Sequence, residues 1–130
     1  MKGKILLTIG LLVLTTIFSC TKEASIEIAL DGERWKIESV TTSYTNHRNT
    51  YMPPADFYYF DKEGRGGFYY SNNDSDPIVW SVNDDKITIT KRNKSLTYTV
   101  LAGGFARQTW QRQYYSWDNQ VTEVYELRKE

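Results

Sequence analysis

The chain has 130 residues, with 16 Lys plus Arg against 16 Asp plus Glu and a mean hydropathy of −0.56. That balance argues against nucleic acid as a partner, and a single cysteine and a single histidine cannot assemble a zinc site. The length suits one domain.

Residues 1–19 differ from all that follow. Lys2 and Lys4 open the chain, and residues 5–18 run without a charge. Such a run fits the apolar core of a secretory signal and is too short to span a bilayer as a helix. Ser19 is small, as a cleavage site requires, and Cys20 follows it. The segment Ile17-Phe18-Ser19-Cys20 resembles the lipobox of bacterial lipoproteins. The resemblance implies a signal peptide over residues 1–19 and lipid attachment at Cys20, which becomes the new N-terminus of a membrane-anchored lipoprotein. A free thiol in an exported chain would invite intermolecular disulfides, whereas an acylated one cannot form them. Stable anchoring takes two or more acyl chains. Without Lys2 and Lys4, residues 20–130 carry 14 basic and 16 acidic side chains, which disfavours a basic surface for anionic lipid.

Residues 20–30 read as the lipidated N-terminus and a short polar tether, with 26–30 as one helical turn or an added edge segment. After Gly32 the period becomes two. Trp35, Ile37, Ser39 and Thr41 are expected on one face of a strand running to about Tyr44. Residues 46–54, with His47, Arg48, Asn49 and two prolines, break the pattern and predict a long loop. Short strands then alternate with turns: 57–60, 67–70, 78–82, 86–90, 96–100, 106–116 and 121–127. Asp61-Lys62-Glu63-Gly64 suits a type I turn closed by a left-handed glycine. The pattern predicts an all-β domain over 31–130: one antiparallel up-and-down meander of about eight strands. An open sheet of that size would expose two adhesive edges, so a closed or nearly closed barrel is expected.

Leu30-Asp31-Gly32 with Trp35, the hairpin from Phe60 to Gly64, Trp80-Ser81-Val82 and Glu123-Val124-Tyr125-Glu126-Leu127 together resemble the lipocalin-like small lipoproteins of Bacteroidetes. Lipocalins proper space the first motif Gly-x-Trp; here it is Gly-x-x-Trp. The resemblance implies a small barrel, with Trp35 plugging its closed end and a basic residue such as Arg128 over it. It also implies an outer-membrane location, on the periplasmic or cell-surface face, and a small apolar ligand. Trp35, Phe60, Phe68, Tyr70, Trp80 and Tyr98 fall on candidate inward faces. Side chains this large are also able to fill a small lumen.

No catalytic constellation emerges, so a non-enzymatic protein without a cofactor is expected. His47 lies in the predicted loop, without the nucleophile partner that covalent catalysis needs. Asn72, Asp74 and Asp76 have the spacing that begins a calcium loop. Pro77 and Asn83 stand where glycine and glutamate are required, so a solvated turn and no metal are expected. Glu123 and Glu126 point to opposite faces of one strand and cannot act as a pair. The densest aromatic stretch is RQTWQRQYYSW, residues 107–117. Trp110, Arg112 and Tyr114 share a face there. Aromatics with Arg anchor interfaces, which points to the alternative of an interaction module engaging a glycan or an envelope protein.

Overall fold

The structure, a computed structural model, describes residues 22–130; the expected signal peptide over 1–19 and the expected lipid site at Cys20 lie outside them. A helix, α1 (Lys22–Leu30), precedes nine strands. These are β1 (Glu33–Tyr44), β2 (His47–Tyr51), β3 (Phe57–Asp61), β4 (Arg65–Tyr69), β5 (Ser75–Asn83), β6 (Lys86–Lys91), β7 (Lys94–Gly103), β8 (Arg107–Ser116) and β9 (Asn119–Lys129). Their order is β2-β1-β3-β4-β5-β6-β7-β8-β9, and β1 also pairs with β9. Eight strands, β1 and β3–β9, therefore make a closed antiparallel up-and-down barrel, and β2 is attached beside it.

Tight turns set the register. Lys91 pairs with Lys94 across Arg92 and Asn93, whose φ angles of 52° and 62° are both left-handed. Paired positive φ angles match the strand twist and allow a two-residue hairpin. The predicted turn at Gly64 is present with φ 74°, and Glu63 joins it at φ 68°. Asp61 caps the turn by accepting the Lys62 N–H at 2.8 Å.

Three expectations about the secondary structure change. The loop predicted over 46–54 contains β2, all of it exposed. The reason is length: β3 pairs with β1 only from Glu33 to Lys36, and β2 covers the remaining edge from Val40 to Tyr44. Both faces of β2 are wet, so no alternation marks it. Second, the register of β1 against β9 shifts between Ile37 and Ser39. One extra residue, Glu38, moves the inward parity from Ile37 to Val40. Ser39 and Thr41 thus leave the face of Trp35 and Ile37. Third, the expected tether is helical from Lys22 and buries Ile26, Ala29 and Leu30 against one end of the barrel. Those three positions follow helical spacing, but nine residues are too few for the period to stand out. Gly32, at φ 74°, then turns the chain into β1.

Trp35 is fully buried at the helix-capped end. Arg128 does not lie over it. Arg128 pairs with Lys36 on the outward parity, and its guanidinium reaches Glu38 at 3.6 Å.

Candidate functional site

The lumen is filled with side chains. Trp35, Phe60, Phe68, Trp80 and Tyr98 are all buried in one core together with Tyr58, Ile78, Ile87, Ile89, Trp110 and Leu127. Phe60 meets Trp80 edge-on at 5.2 Å between centroids, and Tyr58 meets Phe68 at 4.7 Å. Edge-to-face rings at these separations are attractive contacts, not gaps. The Trp80 indole N–H donates to the carbonyls of Arg65 at 2.8 Å and Asp61 at 3.2 Å, locking its ring over the β3–β4 turn. Tyr70 is half-buried just past β4 and donates its hydroxyl to Asp76 at 2.7 Å. Between Tyr58, Ile89, Leu96 and Tyr98 a hollow of about 70 Å³ remains, with Lys91 and Lys94 at its edge.

A polar layer sits above this core. Arg112 on β8 faces Glu123 on β9, and the two form a hydrogen-bonded ion pair inside the barrel. Tyr125 donates its hydroxyl to the other oxygen of Glu123 at 3.2 Å. The Arg112 guanidinium also lies 4.2 Å from the centre of the Tyr114 ring. Burial would lower the guanidinium pKa, but the bond and charge of Glu123 hold it up. Burial raises the phenols of Tyr58, Tyr98 and Tyr125, so they remain donors at neutral pH. Below the ion pair, Gln108 accepts the Trp110 indole N–H at 2.7 Å and reaches the Gly104 carbonyl at 3.4 Å.

Trp110, Arg112 and Tyr114 do share a face, but it is the lumenal one. Trp110 is fully buried and is out of reach of a partner. Tyr58 and Gln108 adjoin this layer and escaped the sequence reading, which weighed Glu123 only against Glu126 and not against Arg112 and Tyr125. A signal existed: a two-residue turn at Trp117-Asp118 places Arg112 opposite Glu123 by counting alone.

The outer wall carries a cleft that the sequence reading also missed. Phe57 and Tyr69 pair across β3 and β4, and their rings stack at 4.7 Å with 9° between planes. Arg34 holds its guanidinium 4.1 Å from the centre of Phe57 and its charge 3.7 Å from Glu130. With Tyr59 these side chains line a hollow of about 330 Å³. Gly67 is needed here. A Cβ on it would stand 3.0 Å from the Tyr69 ring, so only glycine lets that ring lie down over the strand. The available signal was Phe57-Tyr58-Tyr59-Phe60, where aromatics on both parities leave one pair outside.

At the barrel end away from α1, the β1–β2 and β8–β9 hairpins stand together, joined by a hydrogen bond from Thr45 to Asn119 at 3.2 Å. Trp117 at the tip is 95% exposed in a left-handed conformation, φ 57°. His47 is on β2 with its ring 5.2 Å from that of Tyr44. Asn72 and Asp74 bond to each other, while Asp76 turns to Tyr70 and Arg92. No protein-family model matches this chain, and no curated protein matches it.

Proposed function

We propose that the chain is a lipid-anchored, non-enzymatic module of the cell envelope. In this reading the lipocalin-like barrel is a packed scaffold and the Arg34–Phe57–Tyr59–Tyr69 cleft on its outer wall binds a glycan. The observation that carries it is the contrast between the two sides of that wall. The inner hollow beside Tyr58 and Tyr98 holds about 70 Å³, against about 330 Å³ for the outer cleft. Small-molecule sites occupy roughly 300–1,000 Å³, so the outer cleft is of ligand size and the inner hollow is not. A small apolar ligand on Trp35, Phe60, Phe68, Tyr70, Trp80 and Tyr98 would have to displace side chains already packed in or against one core.

The chemistry of the cleft suits a sugar. A pyranose has an apolar C–H face and a rim of hydroxyls. The exposed Tyr69 ring, backed by Phe57, offers apolar surface to the former, and Arg34 and the Tyr59 hydroxyl offer hydrogen bonds to the latter. Acyl chains on Cys20 would make the partner a glycan met at the membrane surface, on the periplasmic or cell-surface side of the outer membrane.

The test is calorimetric titration of the purified domain with a panel of envelope oligosaccharides. Loss of the Tyr69 ring in Tyr69→Ala should weaken binding roughly tenfold, the scale of one aromatic contact. Trp117→Ala, at the far hairpin tip, should leave it unchanged. Equal binding by wild type and Tyr69→Ala would remove the cleft from the reading, and solvent-extractable lipid in the purified domain would return the ligand to the lumen.

A further inference from the structure

We infer that the helix-capped end of the barrel is a membrane-seating face, with Ile28, Leu101 and Phe105 entering the interface of an uncharged bilayer. The inference rests on the lipid anchor at Cys20 and adds an orientation to it.

Three large apolar side chains are exposed at this end: Ile28 at 61%, Leu101 at 55% and Phe105 at 64%. Ile28 lies on α1, whose Ile26, Ala29 and Leu30 are committed to the barrel, so it is not needed for docking the helix. Leu101, near the end of β7, borders a hollow shared with Lys22, Ser25 and Ile26 of α1. Phe105 is in the β7–β8 connection, two residues past Gly103, whose Cβ position would be 3.5 Å from Ile26. All three therefore belong to the α1 end of the molecule.

The anchor would hold that end to the bilayer. Lys22, the first residue of α1, follows Cys20 by two positions, and two extended residues span at most about 7 Å. A helix start so close to the acyl chains cannot stand a headgroup layer away from them. Charge selects the kind of lipid. The Asp84 backbone N–H donates to the Glu23 carboxylate at 3.5 Å, and Glu27, Asp31 and Asp85 line the adjoining hollows with Lys22. Basic side chains at this end are matched with acidic ones, Lys86 with Asp85, Lys129 with Glu33 and Arg34 with Glu130. An end of balanced charge gains little from anionic headgroups, so contact comes from apolar burial and is insensitive to salt. The β8–β9 tip, at the other end of ten-residue β8, would stand about 30 Å further out.

The experiment uses the full chain, expressed with its leader and purified as the lipoprotein, in phosphatidylcholine–phosphatidylethanolamine vesicles. With Cys20 acylated, one introduced cysteine takes an environment-sensitive dye, at Phe105→Cys or at Trp117→Cys. The dye at 105 should be quenched by brominated lipid and shielded from aqueous iodide, and the dye at 117 should behave oppositely. Leu101→Ser combined with Ile28→Ser should expose the dye at 105 severalfold while far-ultraviolet dichroism stays that of the barrel. Acylated, vesicle-bound protein with the dye at 105 as open to iodide as that at 117 would overturn the seat alone. A mass spectrum showing unacylated Cys20 would overturn the anchor and the seat together.

Discussion

Arg112 and Glu123 face each other across β8 and β9 inside the barrel, with side chains only 21% and 13% exposed. The guanidinium Nε has no hydrogen-bond partner, so Glu123, with the Tyr114 ring beside the charge, is what compensates its burial. Removing one half of such a pair leaves the other charged and desolvated, whereas removing both does not. Glu123→Ala should cost about 2–4 kcal/mol in urea denaturation, and Arg112→Met with Glu123→Leu should recover most of it. A neutral single variant would mean that water reaches the pair freely.

Alkaline stability follows from three phenols. Burial comes first among the causes raising Tyr58, Tyr98 and Tyr125, followed for Tyr58 and Tyr125 by the neighbouring Tyr98 group. A raised folded pKa contributes stability that is complete below the unfolded value of about 10 and is lost as pH rises through the folded one. Unfolding and tyrosinate absorbance should therefore appear together above about pH 10. Tyr58→Phe should move that onset upward. A gradual absorbance rise in a still-folded barrel would show these hydroxyls open to solvent.

Asp76 and Asp85 both carry carboxyls held below the ordinary range, and Asp76 is the one bonded by two partners. The Tyr70 hydroxyl first, then Arg92 at 2.9 Å, hold the Asp76 carboxyl below the ordinary carboxylate range. Its contribution is present above the unfolded pKa of about 4 and disappears as pH falls through the folded value beneath it. In Asp76→Asn the acid limb of the thermal-midpoint profile should flatten; an unchanged limb would leave the effect to other carboxylates.

Two adjacent glycines should behave differently. A Cβ on Gly66 would stand 2.0 Å from the Tyr59 carbonyl oxygen, where neither backbone can give way. Gly66→Ala should cost about 3 kcal/mol or more and sharply reduce folded yield. In Gly67→Ala the neighbour is the outer edge of the Tyr69 ring, which can swing aside. That variant should fold while losing glycan binding, measured by the same titration. Loss of fold in both would make Gly67 structural, not part of the cleft.

How much was legible depended on whether the signal was local. Trp80, Val82, Ile87, Ile89 and Tyr98 alternate with wet neighbours on strands whose two faces meet different surroundings, and their burial follows from period two. On β8 both parities carry aromatics, so the pattern identified a strand but not its inner face. Closing β9 onto β1 made that choice, sending Trp110, Arg112 and Tyr114 inside and leaving Tyr115 and Trp117 out. The outer cleft was hidden for the same reason in Phe57-Tyr58-Tyr59-Phe60.

By itself, the order of residues determined an all-β meander and the sites of most of its turns, because alternation and left-handed φ positions depend on immediate neighbours. Tertiary structure alone decided the bulge at Glu38, the ninth strand on the spare edge of β1, and the packing of α1 over one barrel end. Each of these answers a need set by a distant strand: a shifted register, an unpaired backbone edge, or an open apolar end.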